Sequence, residues 1–275
     1  MSESSHDQQT ASAFATSWNN LPEGSVYSRE QFEDWIAPLK SDAVRDQRVL
    51  ELGCGNGSLL LHMLQWQPSQ VTGIDLGDSV RSAKENLAET GQTNWEILQD
   101  DLVAHRGELA DLVYCIGVLH HLKEPEAGFR SVLENTSPGG RFHCWVYAKE
   151  GNLPVRLLVE PLRKLCCQLP WWLTKYGAAT PLSLPVYLAA RLARVLPESV
   201  LSVLPLGHYL HWLGQREWSF ARHVVFDQLV TPQTVYLDRP TIESWLRSAE
   251  VDPDSTYVIF RNRNSWKFGG TRLAK

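Results

Sequence analysis

Hydrophobic and polar positions alternate with two different periods between residues 46 and 148. Short apolar runs typical of strands are RVLELG, QVTGID, WEILQD, DLVYCI and RFHCWVYA. Between them, apolar residues recur every three or four positions, as at 58–65, at 79–90 and after Pro125. This alternation, with short connections, predicts a parallel sheet with helices on both faces.

The pattern changes after residue 148. Residues 149–238 are rich in Leu, Pro and Trp, and the prolines divide them into short helical segments. Two short strands, YVIFR and SWKFGGTRLA, then follow and are joined through RNRN, which predicts a hairpin at the sheet edge. We therefore expect seven strands, with a core at 46–148 and 239–275 and a helical insertion at 149–238. Residues 1–45 would supply a polar, disordered tail to about residue 11, followed by helices.

Composition narrows the classes of protein that this chain can represent. The 275 residues carry a net charge of −5, which argues against DNA and disfavours RNA as the main partner. Five cysteines without metal-ligand spacing predict reduced thiols and no metal site. The polar N-terminus has no apolar signal segment, and Glu198, Pro205 and His208 interrupt the most apolar region. We expect a cytoplasmic protein without a transmembrane segment.

The motif VLELGCGNG places Gly53, Gly55 and Gly57 directly after a predicted strand that contains Glu51. A glycine-rich exit from a strand allows a ligand to approach the backbone at the carboxyl end of a sheet. Dinucleotide sites use GxGxxG instead, and Glu51 would repel a pyrophosphate. The carboxylate suits a cationic ligand, although the glycines could also serve a tight turn alone.

These residues resemble the first motif of the class I S-adenosylmethionine (AdoMet) dependent methyltransferases. VTGID, ILQDDL and CIGVLHHL follow in the order of that family, and the last is similar to a subgroup that includes ubiquinone C-methyltransferases and many small-molecule enzymes. The resemblance covers residues 46–148 and, more loosely, the last 37 residues. It implies a Rossmann-like fold, AdoMet as the cofactor, and N-terminal helices that cover the cofactor.

The resemblance also implies a set of cofactor-binding residues. Asp75 would bind the ribose hydroxyls, Asp101 the adenine amino group, and the backbone around Cys115 and Ile116 the methionine part. Asp75 could instead cap the next helix, and strand alternation turns Asp100 and Asp101 to opposite faces, so that we select Asp101. The expected set is Glu51, Gly53, Cys54, Gly55, Gly57, Asp75, Leu76, Asp101, Leu102, Cys115 and Ile116.

Four residues are candidates for the catalytic set. His120 and His121 follow the fourth strand and could move a proton or orient an acceptor, or could only pack and cap. Tyr236 and Arg239 lie in a run that resembles the segment returning from a lid in related enzymes. Methyl transfer mainly requires alignment, and a base is needed only for a nucleophile of high pKa.

The insertion at 149–238 leaves three alternatives open. It can be a packed helical cap, a lid over the acceptor, or a lipid-facing surface, given LPWWL at 169–173. Its nine Lys and Arg residues exceed its six Asp and Glu residues, which favours an anionic acceptor.

The sequence predicts an AdoMet-dependent methyltransferase that acts on a small molecule. The alternatives are a tRNA or other macromolecular acceptor, a carboxylated AdoMet derivative as donor, and AdoMet binding without transfer. The methylated atom and the oligomeric state stay open at this point.

Overall fold

A computed structural model describes residues 4–19, 27–248 and 250–274 of the chain. The chain forms two compact units. The first comprises Met1–Val146, Arg239–Ile259 and Lys267–Lys275, and the second comprises Tyr147–Asp238 and Phe260–Trp266.

The sheet has seven strands. They are β1 (Arg48–Leu52), β2 (Gln70–Asp75), β3 (Trp95–Gln99), β4 (Ala110–Ile116), β5 (Thr136–Tyr147), β6 (Tyr257–Arg261) and β7 (Ser265–Thr271). Their order is β3-β2-β1-β4-β5-β7-β6, and β1 to β5 pair in parallel. The predicted mostly parallel sheet with an antiparallel pair at its edge is confirmed. The strand order reverses between β1 and β4, which is where open α/β sheets bind ligands.

Eleven α-helices are assigned within the described residues. In the first unit they are α1 (Ser4–Asn19), α2 (Arg29–Ile36), α3 (Ser58–Leu64), α4 (Ser79–Ala88), α5 (Pro125–Asn135) and α11 (Arg239–Leu246). In the second unit they are α6 (Glu160–Cys166), α7 (Thr180–Ala193), α8 (Glu198–Leu201), α9 (Gly207–Leu213) and α10 (Trp218–Val230). Two π-helical segments, Val155–Val159 and Leu173–Ala179, precede α6 and α7.

The two N-terminal helices are stabilised in different ways, α2 by a local cap and α1 by a tertiary contact. Ser28 caps α2 by accepting the backbone N–H of Gln31, and the helix buries Phe32 and Ile36. Helix α1 begins at Ser4, so the predicted tail is wrong for residues 4–11; residues 1–3 lie outside the described part. This polar helix packs against α4, a tertiary contact that local composition does not show.

The second unit has its own small core. Ala190 of α7, Leu213 of α9 and Ala221 of α10 are buried together, and partly buried aromatic residues such as Trp212 and Phe220 pack around them. Most of this unit is the segment that the sequence marks as an insertion, and the tip of the β6–β7 hairpin belongs to it as well.

Candidate cofactor site

The glycine loop after β1 adopts a left-handed backbone at each of its three glycines. The φ angles are 85° at Gly53, 54° at Gly55 and 77° at Gly57. A Cβ at Gly53 would lie 2.3 Å from Cγ2 of Val118, and one at Gly57 would lie 2.7 Å from Cδ1 of Leu87. The tight turn and its packing therefore explain Gly53 and Gly57 without a ligand.

Asp75, the last residue of β2, ties this loop to the start of α4. Its Oδ2 accepts the backbone N–H of Gly55 at 2.9 Å, and its Oδ1 accepts the N–H of Gly77 at 2.8 Å and the hydroxyl of Ser79 at 3.1 Å. These bonds occupy about three of the roughly four lone-pair positions of a carboxylate, which leaves room for one further donor. Burial raises the pKa of Asp75, and the three bonds oppose that rise.

Glu51 is a carboxyl group in the middle of the sheet. It is 1% exposed and accepts a hydrogen bond of 2.9 Å from the hydroxyl of Tyr114 on β4. Burial raises its pKa to about 8, the Tyr114 bond lowers it, and the neighbouring charge of Asp75 raises it. Glu51 is therefore mostly protonated at neutral pH and would ionise beside a cation.

The two aspartates after β3 have different partners. Asp100 binds the ring of His105, with 2.8 Å between Oδ2 and Nδ1. Asp101 accepts the backbone N–H of Val103 at 2.8 Å, and the adjacent Leu102 is buried. The pair with His105 thus belongs to Asp100, and a ligand role for Asp101 stays a prediction.

The cysteines of the expected set are buried thiols. Burial raises the pKa of Cys54 and of Cys115, so both stay protonated at neutral pH. This supports their interpretation as small packing residues rather than nucleophiles. Ile116 is also buried, and the carbonyl of Leu76 accepts an N–H of the Gln99 side chain at 3.3 Å.

Both histidines of the catalytic set are buried in the turn Leu119–His121. Their ring centroids are 4.2 Å apart; His120 meets the edge of Trp145, and the ring of His121 lies 4.7 Å from Phe14 of α1. The packing alternative describes these contacts well, and a role in catalysis stays a prediction.

Aromatic residues that the sequence did not single out for the site lie beside this turn. Trp35 of α2 contacts Tyr27 at 4.6 Å and Trp145 of β5 at 5.6 Å between ring centroids. The indole nitrogen of Trp35 is buried and has no hydrogen-bond acceptor among the described residues. The only available signal was the aromatic content of α2 and of the end of β5.

Helix α1 lies near both halves of this region. A Cβ at Gly77 would be 3.0 Å from the carbonyl oxygen of Ala11, and Asp7 accepts the backbone N–H of Lys123 at 3.1 Å. The helix thus reaches from the loop after β2 to the turn after β4.

Tyr236 and Arg239 belong to different units. Tyr236 stacks on Tyr147, with 6.2 Å between centroids. Arg239 starts α11, and its Nε lies 2.6 Å from Oε1 of Glu243. The Arg239 side chain is 57% exposed, so the pair contributes about 0.3–0.5 kcal/mol.

The described residues hold neither a cluster of metal-ligating side chains nor a helix that could span a membrane. No group of three or more His, Cys, Asp or Glu side chains could hold a metal ion there. In the same residues no helix is both long and apolar enough to cross a bilayer.

Comparisons with known proteins identify the region around this loop. Residues 50–142 match the family model described as Methyltransferase domain. An uncharacterised Synechococcus protein is 25% identical over 80% of this chain and 50% of its own length. A ubiquinone biosynthesis O-methyltransferase of Nitrosospira multiformis is 37% identical over 36% of this chain and 41% of its own length. A tRNA U34 carboxymethyltransferase of Helicobacter pylori is 31% identical over 34% of this chain and 40% of its own length.

The solved structures agree on the fold. Magnesium protoporphyrin IX methyltransferase of Synechocystis PCC 6803, with bound SAH, has a TM-score of 0.56 at 14% identity and covers 98% of this chain and 99% of its own. An O-methyltransferase family protein of Burkholderia thailandensis has a TM-score of 0.51 at 16% identity, and the match covers 90% of this chain and 57% of its own. The matched segments of the Synechococcus, Nitrosospira and Helicobacter proteins span about 40–50% of the length of those proteins.

The strand order, with a glycine loop at its switch point, defines an open α/β domain of the nucleoside-binding class. More narrowly, the chain contains a domain of the class I, AdoMet-dependent methyltransferases. AdoMet is the cofactor that this assignment gives. The residues present fit it, because the buried Glu51 can compensate a positive charge and Asp75 can accept a further hydroxyl.

Proposed function

We propose that this protein transfers a methyl group from AdoMet to a small-molecule acceptor. The observation that carries the proposal is the arrangement of Glu51, the Gly55 N–H and Asp75 at adjacent strand ends within the matched methyltransferase segment. The similarity to ubiquinone O-methyltransferases supports a small acceptor. The similarity to a tRNA carboxymethyltransferase is the reason to keep RNA, and a carboxylated donor, as the second candidate.

In this proposal the bound cofactor supplies an electrophilic methyl carbon on a sulfonium. Asp75 accepts a ribose hydroxyl with its remaining lone pair, and Asp101 accepts from the adenine amino group. Glu51, once ionised, stabilises the positive charge of the methionine part. The protein's main contribution is to align the acceptor and exclude water, since the cofactor carries the reactive group.

His120 and His121 are the proposed proton-handling or acceptor-orienting groups. His120 lies beside Trp145, and the turn that holds both histidines is close to the β1 loop, because Val118 directly precedes it and packs on Gly53. Trp35 and Trp145 would then provide flat apolar surface for a ring-bearing acceptor.

We further propose that the acceptor is anionic, which the excess of basic residues in 149–238 favours, and that the second unit can bind an anion by itself. Arg163 is 3% exposed, and its Nε and Nη2 donate to the backbone and side-chain oxygens of Gln228, both at 2.7 Å. Tyr236 lies next to it, and the guanidinium of Arg156 stands 6.0 Å from the Tyr236 ring. Glu160 is the acidic group that opposes these two arginines at Tyr236. A buried guanidinium with neutral acceptors favours an anionic ligand.

The test is a transfer assay with isotopically labelled AdoMet, offered separately to a metabolite extract and to bulk RNA. Label in the small-molecule fraction is the expected result, and Asp75→Ala is the matched control that should lose it. Label in RNA would support the second candidate. A carboxymethyl rather than a methyl mass increase would identify the alternative donor.

Calorimetry on the same preparation separates the remaining outcomes. AdoMet binding without transfer to either pool would indicate a binding protein, and no AdoMet binding at all would refute the proposed function.

A further inference from the structure

Helix α7 buries its small residues and exposes its large ones. Ser183 and Ala190 are fully buried, whereas Leu184, Leu188 and Leu192 are 54%, 60% and 62% exposed. The three leucines follow one another at a spacing of four and therefore form one stripe along the helix. A leucine stabilises a fold mainly when it is buried, so this stripe contributes little to the stability of the isolated chain.

The helical segments before α7 also bury small residues and expose large apolar ones. Leu157 and Leu165 are 64% and 68% exposed, and Trp172 is 54% exposed, whereas Thr174 is fully buried and Cys166 nearly so. We call the following set the leucine surface: Leu157, Leu158, Leu165, Trp172, Leu188 and Leu192. Scattered exposed leucines are normal, but a set of this size within about 40 residues indicates an interaction site.

The inward faces of these helices are already occupied. Helix α10 packs against α6, against Leu173–Ala179 and against α7. The leucine surface therefore lies on the solvent side of these elements and has no hydrophobic neighbour to cover it within the second unit.

Basic residues accompany the exposed leucines. Residues 151–196 contain six Lys or Arg and a single acid, Glu160, which leaves 20 basic and 30 acidic residues in the rest of the chain. The exposed residues Lys164 and Arg191 directly precede Leu165 and Leu192. The long aliphatic stems of such residues can lie along an apolar surface while the charges reach a polar layer.

This charge distribution selects among possible occupants. A symmetric pair of copies would bring the exposed Lys164, Arg191 and Arg194 against the same residues of the second copy, which is unfavourable. No helix among the described residues can span a bilayer. An anionic membrane surface suits both the apolar and the basic residues, because it offers hydrocarbon to the leucines and the tryptophan and phosphate to the basic side chains.

We propose that the leucine surface and its neighbouring basic residues bind the surface of a bilayer that contains anionic lipids. The helices lie in the interface plane, with the leucines in the acyl region and Lys164, Arg191 and Arg194 at the headgroups. This binding does not depend on methyl transfer, so either proposal can fail without the other.

The test is cosedimentation of the full chain with vesicles of phosphatidylcholine alone or mixed with phosphatidylglycerol. We expect binding to the anionic vesicles, at least tenfold weaker binding to neutral vesicles, and weakening at high salt. Arg191→Gln combined with Arg194→Gln should lower the affinity roughly 30-fold, at about 1 kcal/mol for each charge. Leu188→Ser combined with Leu192→Ser should abolish measurable binding.

Two measurements keep the result interpretable. Leu109→Ser removes an exposed leucine (40%) of the first unit and should leave vesicle binding unchanged. Calorimetric AdoMet binding should persist in every variant, which shows that the fold survives. Absence of vesicle binding by the wild-type chain overturns the proposal. Sedimentation velocity that shows a dimer lost in the Leu188/Leu192 variant, without vesicle binding, would overturn it in favour of a second copy.

Discussion

The protonation state of Glu51 gives the sharpest prediction about the cofactor site. With a pKa of about 8, this carboxyl is about 90% protonated at pH 7 in the free protein. A bound cation at the adjacent strand ends favours the carboxylate and lowers that pKa. If it falls below about 6, binding of AdoMet at pH 7 releases about 0.8–0.9 of a proton.

Proton release is measured by titration calorimetry at pH 7 in buffers of different ionisation enthalpy. The slope of binding enthalpy against buffer enthalpy gives the number of protons. Glu51→Gln should bring the slope close to zero and weaken AdoMet binding. Tyr114→Phe is the matched control: it removes the bond that lowers the Glu51 pKa, so release persists and extends to higher pH. A zero slope in the wild-type protein, with normal affinity, would refute the reasoning.

The same carboxyl makes the stability of the free protein depend on pH. Its pKa is raised from 4.5 in the unfolded chain to about 8 in the folded protein, so the folded state binds more protons between these values. The stabilisation is complete below about pH 4.5 and is lost as pH rises through 8. Relative to Glu51→Gln, the wild-type protein should lose on the order of 3 kcal/mol between pH 5 and pH 8 in urea denaturation. A constant difference across that range would contradict the burial of an ionisable Glu51.

Four further substitutions test other parts of the protein. Asp75→Ala should weaken AdoMet binding by roughly 1.5–3 kcal/mol, as measured by calorimetry, and unchanged affinity would remove the ribose assignment. Gly55→Val should abolish binding while circular dichroism stays normal, because φ at this position is 54° and a β-branched residue is strained there. Arg239→Ala and, separately, Arg163→Gln should each lower turnover with the true acceptor and leave AdoMet affinity intact. If either variant keeps normal turnover, the residue that it replaces does not take part in acceptor binding.

The sequence by itself determined the architecture and the kind of ligand. The alternation of strand and helix periods predicted the parallel sheet, and the hairpin followed from two short apolar runs around RNRN. The cofactor followed from the resemblance of VLELGCGNG, VTGID and ILQDDL to motifs that occur in the same order in the class I methyltransferases. Such features depend on neighbours within a few residues, so that local spacing is enough.

Only the tertiary structure decided how these residues meet. Glu51 and Tyr114 are 63 residues apart, and the raised pKa of Glu51 follows from complete burial, which the Tyr114 hydrogen bond opposes. Gly53 needs a bare backbone because Val118 packs on it, which no spacing rule shows. Helix α1 packs against α4, a contact between segments that are far apart in sequence.

The insertion at 149–238 shows most clearly what the local sequence pattern cannot predict. Helical periodicity marks two faces of a helix and carries no information about which face meets the rest of the protein. The usual expectation is that leucines turn inward, yet here Ser183 and Ala190 are buried and Leu188 and Leu192 are exposed. The physical reason is close packing: small residues let α7 approach α9 and α10 around Ala190, and the leucines are left on the outer side.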